Sequence, residues 1–201
     1  MTAADDDRSG NQQADQPADD DQWVFLIDPA WQAAEPVADT SDEVAEQADG
    51  EVEGPPLEAV IGGWLVTANG TVGRFRANPD YRPSQPGSPT DPVDATIQLL
   101  MRGEADSDAL FAVIRESVFD VALDEGGRPV IAPSPDDVPS LLVSTAPAQR
   151  FRVNTDNWRG ELTAAELSDL AQEHGVDVLF NPGGPASIRL IGDVFTENVK
   201  E

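Results

Sequence analysis

Charge and apolar residues are unevenly shared along this chain, and that division sets where a core can form. Residues 1–54 hold 16 Asp or Glu against the single Arg8, a net charge of −15, while residues 55–201 carry −11. Runs such as Asp5-Asp6-Asp7 and Asp19-Asp20-Asp21, set among Ala and Gln, bring little apolar surface. That surface does not offset a backbone ordering cost of roughly 1–2 kcal/mol per residue. The composition therefore predicts a disordered acidic N-terminal arm over residues 1–54 and one globular core over residues 55–201. Two uses fit such an arm: a solubilising tail, or an electrostatic lure that speeds encounter with a basic partner at low salt.

An apolar island, QWVFLIDPAW (22–31), interrupts the arm. Trp23 to Ile27 has the β-branched and aromatic content of a strand, and Asp28-Pro29 ends it with a turn. The island reads either as an added edge strand on the chain's own domain or as a docking motif for another chain.

The stretch 59–90 reads as a hairpin followed by a proline-stiffened connector. Ala59 to Val66 is a predicted strand, Asn69-Gly70 its turn, and Thr71 to Arg76 the return strand. Asn78-Pro79, Arg82-Pro83, Gln85-Pro86 and Ser88-Pro89 then bar regular structure, since proline lacks the N–H and restricts the residue before it. Thr90 or Asp91 caps a helix with Pro92 in its first turn, and Val93, Ile97, Leu100 and Met101 share one face. A second helix opens at Ser107-Asp108 with Leu110, Phe111 and Ile114 for burial.

Beyond it, Val118 to Leu123 alternates as a strand, Gly126-Gly127 turns the chain, and Arg128 to Ala132 returns it. Pro139 to Thr145 is a continuous apolar run suited to a central strand, with Arg150 to Asn154 pairing beside it. Thr163 and Glu166 form a capping-box pattern opening a third helix, on which Leu167, Leu170 and Ala171 face inward. Val176 to Phe180 and Ala186 to Ile191 are the last strands, joined by the turn 181–185. The expected fold is thus α/β (α+β): a mixed β-sheet packed by about three helices.

Little in the chain points to catalysis. Cysteine is absent, which excludes disulfides, thiolate metal sites and Cys nucleophiles. The one histidine, His174, precedes Gly175 at a predicted helix C-terminus, where a positive charge complements the helix dipole. Ser134-Pro135-Asp136-Asp137 has the chemistry of a turn, and 181–184 lacks the Lys and helix of a phosphate loop. No EF-hand spacing is present. The expectation is no enzyme, no catalytic residue, no metal and no cofactor. A single lysine, Lys200, argues against nucleic acid as a partner. No apolar run approaches the ~20 residues of a membrane span. The N-terminus shows no signal-peptide pattern, so the expected compartment is the cytoplasm.

Trp64, Arg74, Phe75, Arg76, Tyr81 and Arg82 cluster along the hairpin and connector, and with Trp23 they form the expected partner-binding set, because aromatic and Arg anchors dominate protein interfaces. The arginines serve either a carboxylate-bearing partner or the chain's own acidic arm.

From Val118 onward, the order of pieces resembles the SseB N-terminal-like domain. It runs through helix and strand at 110–123, the apolar strand ending in Ser144-Thr145, the helix from Thr163 to Glu173, and VDVLFNPGG followed by SIRL. The blocks QWVFLIDPAW, GGWLVTANGTVGRFRANPDYRPS and SPTDPVDA resemble the actinobacterial type VII secretion system-associated proteins that carry this domain. The resemblance implies an accessory role and carries over no catalytic residue. The chain also departs from secreted substrates: Gly62-Gly63-Trp64 reverses the Trp-x-Gly order, and Tyr81 is followed at the fourth position by Gln85 rather than an acid.

Taken together, these features lead us to expect a non-catalytic accessory or adaptor protein that binds a protein partner, with oligomeric state left open. The alternatives are an immunity-type acidic inhibitor of a basic toxin, and a carboxylate-based small-molecule binder or enzyme. A concave site with convergent acids would favour the last.

Overall fold

A computed structural model describes residues 21–31 and 55–200. The expected arm, apart from its apolar island, lies outside the described residues. Two sheets are present rather than the single sheet expected, with four α-helices among the described residues.

The first sheet is antiparallel, in the order β1 (Gln22–Ile27), β2 (Val60–Val66), β3 (Arg76–Ala77). The island therefore adds an edge strand to its own domain, with Phe25 opposite Gly63 and Leu26 opposite Gly62. Glycine is required at both positions of β2. A Cβ on Gly62 would lie 2.3 Å from the Arg76 carbonyl oxygen, and one on Gly63 would lie 2.8 Å from the Val24 carbonyl oxygen. The return strand is shorter than the sequence suggests. The turn at Gly70 (φ 82°) is followed by one bridge, Val66 to Val72, before β3. Gly73 and the proline-rich stretch that follows leave few residues able to sustain a ladder.

The second sheet has six strands in the order β7-β4-β6-β8-β9, with β5 also on β6. Its members are β4 (Val118–Leu123), β5 (Ile131–Pro133), β6 (Pro139–Ser144), β7 (Asn157–Thr163), β8 (Asp177–Phe180) and β9 (Ile188–Leu190). Strand β6 is central, as its unbroken apolar run implies: it pairs with β4 and β5 along one edge and parallel to β8 along the other. Period-2 alternation then sorts the side chains. Phe119, Val121, Leu141, Val143, Val178 and Phe180 face the helices, whereas Ala122, Leu142 and Leu179 pack on the opposite face with Val130 and Trp158.

Helices α1 (Pro92–Met101), α2 (Ser107–Arg115), α3 (Ala164–His174) and α4 (Gly192–Val199) cover the first of these faces. Asp91 caps α1 by accepting from the Val93 and Asp94 amides, and the capping box of Thr163 and Glu166 is formed at α3. Helix α4 goes beyond the three expected. Its start carries no side-chain cap, and its core contacts reduce to Phe195 and Val199, a single i, i+4 pair. The expected strand over 150–154 is instead a 3-10 turn (Pro147–Arg152), and the neighbours of β6 are β4, β5 and β8. Proline at the first position of that turn favours the tight helical geometry over a strand.

Asp28 locks the island in place. It is 2% exposed and accepts from the Ala30 amide, the Ser84 amide and hydroxyl, the Ser88 hydroxyl and the Tyr81 hydroxyl at 2.7–3.0 Å. Burial opposes its charge, yet the hydrogen bonds led by Ser84 outweigh burial and hold its pKa at about 2.

Candidate functional site

Two features stand out on the surface. The first is the outer side of the three-stranded sheet. Strand pairing puts Phe25, Gly63 and Arg76 in one row, and Trp23 is two residues from Phe25 on the same face. With no side chain on Gly63, the Trp23 and Phe25 rings stack across it, 6.2 Å apart and 7° from parallel. The Arg76 guanidinium lies 6.0 Å from the Trp23 ring centre. Trp23 is 39% and Phe25 58% exposed, and among the described residues β1 pairs only with β2.

The second is a cleft of about 620 Å³ between the two sheets, lined on one side by Arg74 to Ala77 and on the other by Asp120, Arg150, Thr145 and Glu161. Its floor is built by a β-bulge. Residues Phe119 and Val121 pair with Leu162 and Arg159, so Gly160 and Glu161 together oppose the single residue Asp120. Glu161 adopts φ 62°, a left-handed conformation unusual for a residue with a side chain. Gly160 is required, because a Cβ there would lie 2.8 Å from Asp120 Oδ1. Arg150 donates through Nε and Nη2 to Asp120 Oδ2 at 2.9 and 2.7 Å, and its guanidinium lies 5.7 Å from the Trp158 ring centre.

Behind the cleft lies a buried polar network. Asp91 Oδ1 accepts from the Val93 and Asp94 amides, and Oδ2 from the Thr90 and Thr145 hydroxyls. Asn181, 0% exposed and at φ 47°, donates to Asp94 and bonds Thr145. Burial raises the Asp91 pKa, and burial with the neighbouring Asp91 charge pushes Asp94 up to about 6. Convergent acids with raised pKa values are thus present. Both oxygens of each carboxylate accept hydrogen bonds within the network, which joins the start of α1 to the ends of β6 and β8.

The expected partner-binding residues divide accordingly. Trp23 and Arg76 meet on the exposed sheet face, and Arg74 and Arg76 line the cleft. Phe75 and Tyr81 are a correction. They are 8% and 1% exposed and form a small core with Ile61, so neither presents a contact surface. The Tyr81 hydroxyl is committed to Asp28 and the Pro89 carbonyl. Trp64 is half-buried, edge-on to Phe75 at 4.9 Å. Arg82 folds back on the carbonyls of Pro79 and Tyr81. The connector turns Tyr81 inward, where it closes the small core of Ile61 and Phe75, while Arg82 stays exposed.

The turn readings hold. Ser134 bonds Asp136 and Asp137 has φ 62°; Asp136 pairs with Arg189, which also reaches Asp177. His174 closes α3, its Nδ1 3.0 Å from the Leu170 carbonyl, and Gly175 follows at φ 62°.

Phe25, Asp120, Arg150 and Glu161 were not singled out in the sequence. Two signals pointed to the cleft: Asp120 is the lone charge inside VFDVAL, and Gly160 interrupts a strand, the usual mark of a bulge. Among the described residues, no helix is long and apolar enough to cross a membrane, and no group of three or more His, Cys, Asp or Glu is arranged to hold a metal ion. No protein-family model, curated protein or solved structure matches the chain.

Proposed function

We propose that this protein is a non-catalytic accessory or adaptor protein associated with type VII secretion, and that it binds a protein partner through the exposed face and outer edge of β1. The exposed Trp23–Phe25 stack carries this reading. Two large aromatic rings, pre-ordered against each other beside a guanidinium, form the kind of rigid anchor that dominates protein interfaces. The edge of β1 away from β2, which no described strand covers, adds main-chain donors and acceptors on which a partner strand can align. The association with type VII secretion is supported by the likeness of QWVFLIDPAW and the 62–84 block to proteins of that system.

The test is affinity purification from the native host, comparing the wild-type chain with Trp23→Ser/Phe25→Ser. Both side chains are exposed, so the variant retains its fold. Enrichment of secretion-system proteins by the wild type and loss of that enrichment in the variant is the expected result. Equal capture by both chains, or capture lacking any secretion component, refutes the assignment.

A further inference from the structure

We infer that the cleft between the two sheets is a separate binding site for a small amino-carboxylate, a molecule with an ammonium group and a carboxylate. The volume, about 620 Å³, falls within the roughly 300–1,000 Å³ of small-ligand clefts. Its two walls differ in charge. Arg74 and Arg76 stand on the three-stranded-sheet side, and Asp120 and Glu161 on the other, with Arg150 there already paired to Asp120.

The acidic wall is pre-organised. Asp120 is 8% exposed, and its Oδ2 is held by the Arg150 fork. Its Oδ1 makes no hydrogen bond with the described residues and is not sealed from the cleft. Glu161 is held beside it by the bulge, in a backbone conformation that glycine would take without strain. A buried carboxylate with one oxygen fixed and one left open is a ready acceptor for an N–H donor. On the opposite wall, the Arg74 guanidinium forms no ion pair or hydrogen bond with a described residue, although its charge reaches Glu166.

A simple anion would meet Arg74 but face Glu161, and a simple cation would meet Glu161 and the open Asp120 oxygen but face the arginines. A zwitterion answers both walls. Charge-assisted hydrogen bonds at each end then set orientation. Asp91 also borders the cleft, but its oxygens are taken by its own helix and by Thr90 and Thr145, so it is not a ligand contact.

The test is an NMR titration of the full chain with glycine, γ-aminobutyrate, ε-aminocaproate and triglycine, with hexylamine and caproate as single-charge controls. At least one zwitterion saturates, with shifts centred on the amides of Arg74, Arg76, Val118, Asp120 and Glu161. Both controls bind about tenfold or more weakly, and Arg74→Ala and Glu161→Gly each weaken the zwitterion by about the same factor. Glu161→Gly is informative because glycine accepts this φ, so loss of binding reports the carboxylate rather than the fold. Tighter binding of triglycine identifies a peptide end as the source, and tighter binding of the others a free amino acid; either supports the site. No saturation by any of the four, equal binding of a control, or wild-type affinity in both variants overturns it. None of these results depends on a protein partner at β1.

Discussion

Asp28 shows how one carboxylate decides whether a short strand belongs to a fold. β1 buries little of its own surface, yet the residue after it collects five hydrogen bonds, one from the Ala30 amide and four from Tyr81, Ser84 and Ser88 of the connector. Asp28→Ala leaves those donors facing a small cavity. The expected loss is about 2–4 kcal/mol of unfolding free energy, measured by urea denaturation. Asn181 and Glu161 make a second point at this scale. Both are non-glycine residues at positive φ beside polar clusters, where the backbone holds a side chain in place against local preference.

Among the elements, β1 depends on one glycine of its neighbour, Gly63, whereas Gly62 makes room for β3 and Phe75. Gly63 lets the β1 backbone and the Trp23–Phe25 stack approach closely, and a Cβ there meets the Val24 carbonyl oxygen at 2.8 Å and Phe25 Cδ1 at 3.1 Å. Gly63→Ala should displace β1 while the six-stranded sheet is unaffected. Amide hydrogen exchange should accelerate across Trp23 to Ile27 and stay unchanged in β4 and β6. Uniform acceleration would show that the two sheets open as one unit. The α4 helix contrasts with β1: it has no side-chain cap, and Phe195, 0% exposed and edge-on to Phe180, holds it to the core.

For the whole molecule, the buried carboxylates predict an acidic stability optimum. Asp94 is raised from 3.8 to about 6, and Asp91 is raised as well, so the folded state binds more protons than the unfolded chain between these values. The Asp94 contribution is fully present below the unfolded pKa and is lost as pH rises through about 6; Asp91 acts in the same sense. Asp28 acts in the opposite sense: its contribution is present above 3.8 and is lost as pH falls through about 2. Thermal melts should therefore peak at about pH 4 and decline on both sides. Self-repulsion in a chain of net charge −26 steepens the decline towards neutral pH. Asp94→Asn removes one of the two raised carboxylates and so weakens the dependence between about pH 4 and 6, leaving the Asp91 contribution and the charge repulsion.

Local signals were strong enough to read α1, α3, the Gly70 turn, the central place of β6 and the strand character of the island directly. Each is set by a few adjacent residues: a cap with Pro92, the Thr163–Glu166 box, Asn-Gly, an unbroken apolar run. Periodicity and capping are short-range physics, and the chain itself determines them. Tertiary structure alone decided the division into two sheets, the inward turn of Phe75 and Tyr81, and the meeting of Arg74, Asp120, Arg150 and Glu161 in one cleft. Those outcomes depend on which distant backbone segments pair and which face each covers, a sum of burial and hydrogen bonding over the whole chain. No local pattern encodes that sum, and so an aromatic that reads as a surface anchor in sequence ends as the centre of a small core.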